Sequence, residues 1–130
     1  MEDRYLFKAK HFEEWHIGNI VKEPDGLYIR DIKENVMAYI DDESTICQCT
    51  GLRDKNGKLI WENDIVAYWD AYNTENGQAE MDCIGKVVWD DETISFQVTN
   101  RLSAESYEVL DECSVIGNIF DNLELLESEG

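Results

Sequence analysis

Residues 50–66, with the sequence TGLRDKNGKLIWENDIV, decide the fold of this chain, and we call them the signature stretch. Asp54 to Gly57 supply a turn, because Asn and Gly tolerate positive φ and an Asp side chain accepts hydrogen bonds from nearby backbone amides. Glu62 to Asp64 then separate two apolar runs, Leu59 to Trp61 and Ile65 to Trp69, as a second tight bend would. The stretch predicts short strands joined by turns, and it contains no catalytic, metal-binding or nucleotide-binding motif.

Three further segments extend this pattern along the chain. They are Tyr5 to Ala9 at the start, Gly85 to Trp89 in the middle and Val115 to Leu126 near the end. Together with residues 50–66, and in the same order, they resemble the YopX family of phage and prophage proteins. The resemblance implies a mainly β protein with an SH3-like barrel core, encoded by a phage or an integrated element, and it carries over no catalytic residues.

The chain departs from the family pattern at three positions. Asn63 stands where the family usually has Gly, Lys8 where it has Arg, and Leu123 where it has Pro. Asn is the next best residue for a left-handed turn position, so we expect the bend at Asn63 to survive.

Composition indicates one folded domain over residues 1–130. Hydrophobic residues make up 43% of the chain, far too many for intrinsic disorder. A chain of this length buries roughly two-thirds of the surface of its unfolded state, which is enough for a core. The longest apolar runs are much shorter than a membrane helix, and the first four residues do not resemble a signal peptide. We therefore expect no membrane association and a cytoplasmic location in a bacterial host.

The net charge of −18 is distributed unevenly. Residues 66–130 carry 2 Lys and Arg against 15 Asp and Glu. This half would repel a phosphate backbone, so we expect no direct nucleic-acid binding.

Turn residues also divide the remainder of the chain into elements. Alternating patterns predict strands at Leu27 to Ile32, Val36 to Ile40 and Thr45 to Cys49, ahead of the barrel, with Leu27, Ile29 and Asp31 sharing one face. Leu123 to Leu126 predict a short C-terminal helical turn, because leucines so closely spaced are hard to leave in water.

The second half contains one clear hairpin, from Gly85 to Thr99. In its second strand Ile94, Phe96 and Val98 alternate with polar residues and are predicted to share a face. Asp70 to Asp82 are predicted to form a long polar loop, and Leu102 to Leu110 a short helix or an irregular segment.

Histidines and cysteines were candidates for a metal site. His11 and His16 flank Glu13-Glu14, but their spacing does not place both on one helix face, so a solvated segment is the simpler interpretation. The four cysteines could hold zinc only if the fold brings them together. We expect reduced thiols that face a core, since no export signal is present. They are Cys47, Cys49, Cys83 and Cys113.

The remaining polar and aromatic clusters have structural interpretations as well. Asp41 to Glu43 and Asp90 to Glu92 lack the length of a calcium loop and are predicted to be solvated hairpin tips. Asp64 is predicted to accept amide hydrogen bonds at the entrance to a strand. The four tryptophans are more typical of a core than of a binding groove. We therefore assign no catalytic, cofactor-binding or metal-binding residue from the sequence, and no cofactor.

The sequence favours a non-enzymatic protein that binds a protein partner or forms a homo-oligomer. Two alternatives stay open. In one, the acidic back half imitates nucleic acid and occupies a DNA-binding protein, which requires a cluster on one face. That cluster would comprise Asp90, Asp91, Glu92, Glu105, Glu108, Asp111 and Glu112. In the other, the protein is a carboxylate-dependent hydrolase, which would require converging carboxylates or a carboxylate beside His11 or His16.

Overall fold

A computed structural model describes residues 5–99, 106–108 and 113–127 of the chain. The chain divides into two compact units, Met1–Gly51 and Leu52–Gly130, and each has its own hydrophobic core. Both are built from antiparallel strands, so the prediction of a mainly β protein is confirmed. The single domain over residues 1–130 stays a prediction. No helix within the described ranges is long and apolar enough to cross a membrane.

One strand of the first unit, Glu14–Glu23, replaces the solvated segment predicted around His11 and His16, and that prediction was wrong because His16 is buried on the strand. The described part of the unit has five strands in all. They are β1 (Phe7–His11), β2 (Glu14–Glu23), β3 (Gly26–Asp31), β4 (Met37–Tyr39) and β5 (Cys47–Arg53), in the spatial order β4-β3-β2-β1-β5. A 3-10 helix at Glu43–Thr45 precedes β5, and Asp42 caps it by accepting the amide of Ser44. β5 continues past Gly51 into the second unit, where β6 (Leu59–Trp61) is its neighbour.

One face of this sheet forms the core of the first unit. Ala9 and Ile29 are fully buried and pack with Ala38 and Ile40. Apolar side chains pack there because removing them from water is the main favourable contribution to folding. The predicted alternation in β3 is confirmed, and it places Asp31 among the buried residues of this face.

The second unit contains a five-stranded sheet with the order β10-β9-β8-β7-β11. Its strands are β7 (Asp64–Thr74), β8 (Gly77–Asp90), β9 (Ser95–Thr99), β10 (Ser106–Glu108) and β11 (Ser114–Asn118), and α1 (Glu124–Glu127) follows them. Ile60, Val66, Val87, Val98 and Cys113 form its core. The predicted C-terminal helical turn is confirmed, and α1 packs against β8.

The predicted turn at Asp54 to Gly57 is present. Oδ1 of Asp54 accepts the backbone amides of Asn56 and Lys58, each at 2.9 Å. Gly57 has a φ of 82°, in the left-handed region that glycine adopts without steric cost. The turn is therefore held by a side chain and by backbone conformation together.

The second bend of the signature stretch survives without glycine. Asn63 takes a φ of 70°, as expected for an asparagine in a left-handed position. Oδ2 of Asp64 accepts the amide of Trp61 at 2.8 Å, which confirms the predicted role of this carboxylate. The bend reverses the chain between β6 and β7.

Residues 50–66 and the segment that begins at Val115 meet within the second unit. The amide of Val115, in β11, donates to Oδ2 of Asp54 at 2.9 Å, and the amide of Lys55 donates to the carbonyl of Cys113 at 3.0 Å. Farther along, the amide of Ile119 donates to the carbonyl of Asn63 at 3.1 Å. Residues far apart in sequence thus share one hydrogen-bonded assembly around the two turns.

The predicted polar loop at Asp70 to Asp82 is wrong. β7 and β8 continue through this segment as a paired hairpin from Trp69 and Asp82 to Thr74 and Gly77. Gly77, with a φ of 117°, completes the tight turn. No sequence pattern indicates these strands, because polar residues interrupt the alternation of apolar and polar positions that identifies a strand.

The predicted position of Ile94 is also wrong. Ile94 precedes β9 in the turn, has a φ of 52° and exposes 75% of its surface. Val98 is buried as expected, but so is its neighbour Gln97, whose Nε2 donates to Ser95 Oγ at 2.7 Å. A satisfied amide can occupy a buried position that hydropathy assigns to solvent.

Two expectations remain partly untested. Residues 106–108 form β10, so this piece of the segment from Leu102 to Leu110 is a strand, and the rest lies outside the described residues. The strands are arranged as two antiparallel sheets, and the SH3-like barrel core stays a prediction.

Candidate functional site

A buried histidine and a buried aspartate meet on the inner face of the first sheet. His16 lies on β2 opposite the core residue Ala9, and Asp31 ends β3. His16 Nδ1 and Asp31 Oδ2 are 2.8 Å apart, and the side chains expose only 7% and 10% of their surface. Two titratable groups withdrawn from water need such a partner, because an unpaired buried charge is strongly unfavourable.

The turn after β3 fixes the Asp31 carboxylate. Its Oδ1 accepts the backbone amides of Lys33 at 2.8 Å and Glu34 at 2.9 Å. The Glu34 amide is the main cause that lowers the pKa of Asp31, burial opposes it, and the contact with His16 lowers the pKa further. Asp31 is consequently ionised at neutral pH, with one oxygen held by the turn and the other facing the imidazole.

Two glutamates border this pair. Glu34 is exposed, and its carboxylate, an imidazole nitrogen of His16 and a carboxylate oxygen of Asp31 all lie within 4.8 Å of one another. Glu14 Oε2 lies 3.9 Å from His16 Nε2. Such an arrangement can exchange a proton between imidazole and carboxylate or hold a divalent cation. We refer to His16, Asp31 and Glu34 as the HDE cluster.

The two histidines have different hydrogen-bond partners, although their rings meet edge to face with centroids 6.4 Å apart. His11 Nδ1 lies 2.8 Å from the carbonyl of Tyr39, whereas His16 pairs with Asp31. Glu13 is almost fully exposed, and its carboxylate is 4.0 Å from Lys10 Nζ. Sequence reasoning examined the local neighbours of His16 and missed Asp31 and Glu34. The available signal was the position of Asp31 on the inward face of its strand.

All four cysteines are buried, as predicted. Cys47 Sγ donates to the carbonyl of Thr45 at 3.2 Å, and Cys113 belongs to the core of the second unit. Among the side chains that are described, the HDE cluster is the one group of three or more potential metal ligands, and it contains no cysteine.

The acidic clusters Asp41 to Glu43 and Asp90 to Glu92 form local hydrogen bonds with the backbone. Asp42 caps the 3-10 helix, and Asp90 Oδ1 accepts the amide of Glu92 at 2.9 Å in the turn between β8 and β9. Asp91 accepts Trp89 Nε1 at 2.8 Å. Three acids proposed for the nucleic-acid mimic, Glu105, Asp111 and Glu112, lie outside the described residues, as does the side chain of Glu108, so their clustering stays a prediction.

The other face of the first sheet carries large side chains, most of which are exposed or half-buried, although Lys10 among them is buried. Directly paired residues of antiparallel strands project to the same side, and the pairing of β1 to β4 defines this set. We call it the outer face, and its members are Lys8, Lys10, Trp15, Ile17, Asn19, Val21, Tyr28, Arg30, Met37 and Tyr39.

Aromatic contacts organise the outer face. The Nζ atoms of Lys8 and Lys10 lie 4.6 and 5.2 Å from the ring centroid of Trp15, within cation–π range. The rings of Tyr28 and Tyr39 meet edge to face at 5.4 Å. Tyr39 nevertheless exposes 41% of its surface, and Ile17 and Met37 are also exposed. The face is ordered by its own contacts and still offers apolar area to a partner.

The tryptophans do not share one environment. Trp61 is buried, Trp89 is exposed and meets Phe96 edge to face, and Trp15 lies on the outer face. The side chain of Trp69 lies outside the described part. The core interpretation is therefore confirmed for Trp61 alone.

The model of the family described as YopX protein matches residues 8–127. The chain belongs to the YopX family. The match covers both units and includes the turn assembly around Asp54, the HDE cluster and the outer face. A comparison with curated proteins gave no match. The YopX assignment thus confirms the resemblance seen in the sequence and leaves the biochemical role to be argued from the residues.

Proposed function

We propose that this YopX protein is encoded by a phage or prophage and acts without catalysis, by associating with a second copy of itself through the outer face. The exposed aromatic and aliphatic side chains of β2 to β4 support the proposal most directly. Apolar and aromatic side chains grouped on one exposed face are typical of recognition surfaces.

Charge favours a second copy as the partner. The outer face has three cations and no carboxylate, and they differ in exposure: Arg30 is exposed, Lys8 is half-buried, and Lys10 is buried with its Nζ 4.0 Å from the Glu13 carboxylate. The chain has a net charge of −18, with only 2 cations against 15 acids in residues 66–130. Each copy therefore presents a basic face and a large acidic surplus, and complementary charges steer association.

Strand edges provide a second route to the same contact. β4 ends the strand order of the first sheet, and Met37 and Tyr39 of the outer face belong to it. Unpaired edges favour strand addition from another chain, although one carbonyl of this edge, that of Tyr39, already lies 2.8 Å from His11 Nδ1. The SH3-like barrel implied by the family is part of this proposal, because such barrels leave edges open.

Sedimentation velocity at several protein and salt concentrations tests the proposal. We expect concentration-dependent dimers that weaken with added salt, because the contact joins opposite charges. Arg30→Glu should weaken association at least tenfold, and Lys33→Glu, the same charge change beside the face, should not. Ile32→Asp should also weaken association, because the Ile32 amide is hydrogen-bonded to the carbonyl of Ile17 on the outer face. Its control is Ile94→Asp, the same change at an exposed isoleucine of the second unit, which should leave association unchanged.

A wild-type chain that stays monomeric up to about 100 µM, well above the range of specific dimers, would overturn self-association. Equal effects of Arg30→Glu and Lys33→Glu would also overturn it, since they would indicate general charge repulsion. Circular dichroism of each variant distinguishes lost association from lost folding.

One observation favours the hydrolase alternative. A histidine and a carboxylate do converge, at His16 and Asp31, although both side chains are nine-tenths buried. A panel of chromogenic esters and phosphodiesters, compared between wild type and His16→Gln, tests this function. Turnover that disappears in the variant would support a hydrolase, and its absence in the wild type would exclude hydrolysis of those substrates.

A further inference from the structure

We propose that the HDE cluster is a binding site for one divalent transition-metal ion. The three side chains come from β2, the end of β3 and the turn that follows, and their ligand atoms lie within 4.8 Å of one another. A site of this kind is independent of the association proposed above, because it occupies the inner face of the sheet.

The donor set indicates the class of metal. One imidazole and two carboxylates suit a borderline divalent ion such as Mn²⁺, Co²⁺, Ni²⁺ or Zn²⁺. Calcium and magnesium prefer oxygen donors alone. No thiolate takes part, which disfavours the softer ions.

Asp31 is held in a conformation suited to a ligand. Amides of Lys33 and Glu34 occupy its Oδ1, so Oδ2 is directed at His16 Nδ1. Hydrogen bonds of this kind orient metal ligands in proteins and keep a carboxylate charged. Glu14 Oε2 lies 3.9 Å from His16 Nε2, beyond hydrogen-bond distance, and adds negative charge beside the ring.

The spacing also indicates the coordination geometry. With bonds of about 2.0–2.1 Å to nitrogen and oxygen, ligand atoms 2.8 Å apart subtend an angle of about 86° at the ion. That is near the 90° of octahedral coordination and well below the tetrahedral angle. The ion would replace the His16–Asp31 hydrogen bond, bind Glu34 and complete its shell with water from the exposed side of Glu34.

Titration of the full chain with Co²⁺ alone tests the site. We expect binding of one ion per chain by calorimetry, with the weak visible absorption of octahedral Co²⁺. Paramagnetic broadening of the His16 ring resonances should accompany it, and those of His11 should be less affected.

Two matched variants decide between this site and diffuse acidic binding. Glu34→Gln removes an exposed ligand without disturbing the buried pair and should weaken Co²⁺ binding at least tenfold. Glu13→Gln removes a nearby exposed carboxylate that is not in the cluster and should change binding less than twofold. Equal losses in both variants, the absence of saturable binding, or a preference for Ca²⁺ over Co²⁺ would each overturn the proposal.

Discussion

Asp54 offers the sharpest test of how the signature stretch holds the second unit together. Its side chain is buried and accepts three backbone amides, those of Asn56, Lys58 and Val115, each at 2.9 Å. Asp54→Asn keeps the shape, but the new amide nitrogen cannot accept a hydrogen bond. If the remaining side-chain oxygen still accepts the amides of Asn56 and Lys58, the new NH₂ group lies opposite the backbone amide of Val115. Two hydrogen-bond donors then face each other.

The expected cost follows from these contacts. A hydrogen bond to a charged group contributes about 1.5–3 kcal/mol, and a buried donor left without an acceptor costs about 1–3 kcal/mol. Asp54→Asn should therefore lower the free energy of unfolding by about 2–4 kcal/mol at pH 7. For a chain of this size the melting temperature should fall by about 10 °C.

The pH dependence provides an independent check on the cause. Burial acts to raise the pKa of Asp54, but the amides of Val115, Lys58 and Asn56 together outweigh it, and the net pKa is lowered. A carboxyl whose pKa is lower in the folded state contributes stability above its unfolded pKa of about 3.9. That contribution is lost as the pH falls through the folded value, so the gap between wild type and Asp54→Asn should close below about pH 4.

Urea unfolding at pH 7 and pH 3, followed by tryptophan fluorescence, measures both quantities. Asp91→Asn is the control, because Asp91 is exposed and its contact with Trp89 Nε1 needs only one oxygen. Equal urea midpoints for wild type and Asp54→Asn at pH 7 would refute the role of the carboxylate. If the stability difference between wild type and Asp54→Asn is as large at pH 3 as at pH 7, ionisation of the Asp54 carboxyl is not its cause.

Three further substitutions or reactions test other parts of the fold. Gly85→Ala should destabilise the protein by about 1–3 kcal/mol in urea unfolding, because a Cβ would lie 2.6 Å from Val98 Cγ1. Ile94→Asn should raise the stability by about 1 kcal/mol in thermal unfolding, since Ile94 is exposed with a φ of 52° and Asn tolerates that region better; Ile32→Asn, also at an exposed isoleucine but without positive φ, should give no gain. The four cysteines should react with a thiol reagent only after denaturation, because all are buried, and fast labelling of the native protein would contradict this.

Local chemistry explains which elements the sequence predicted. In the turns at Asp54 and Asn63, aspartate side chains accept backbone amides that are three or four residues away. Nearby sequence is therefore sufficient to predict these turns. The hairpin beyond Trp69 has no such signal, and the sequence predicted a loop. At Ile94 the periodicity failed, because the turn uses a β-branched residue in a conformation that such residues rarely adopt.

The HDE cluster could be predicted only in part. Alternation in β3 placed Asp31 on the inward face, but the register of β2 against β3 decides that His16 is its partner. Register depends on how all the strands of the sheet pair, so the sequence of either strand alone does not determine it. The position of Glu34 depends in turn on the backbone of the segment after β3, where Asn35 takes a φ of 55°.

The acidic composition has two distinct physical causes. Several aspartates accept backbone amides within four residues of themselves, and they are Asp31, Asp42, Asp54, Asp64 and Asp90. Of these, Asp31, Asp54 and Asp64 are buried, so their charges stabilise turns and are not presented on the surface. A net charge of −18 therefore overstates the negative surface that could imitate a phosphate backbone or attract a second copy. Charge-neutralising substitutions should consequently divide into two groups, with the buried turn aspartates changing stability and the exposed acids changing the salt dependence of association.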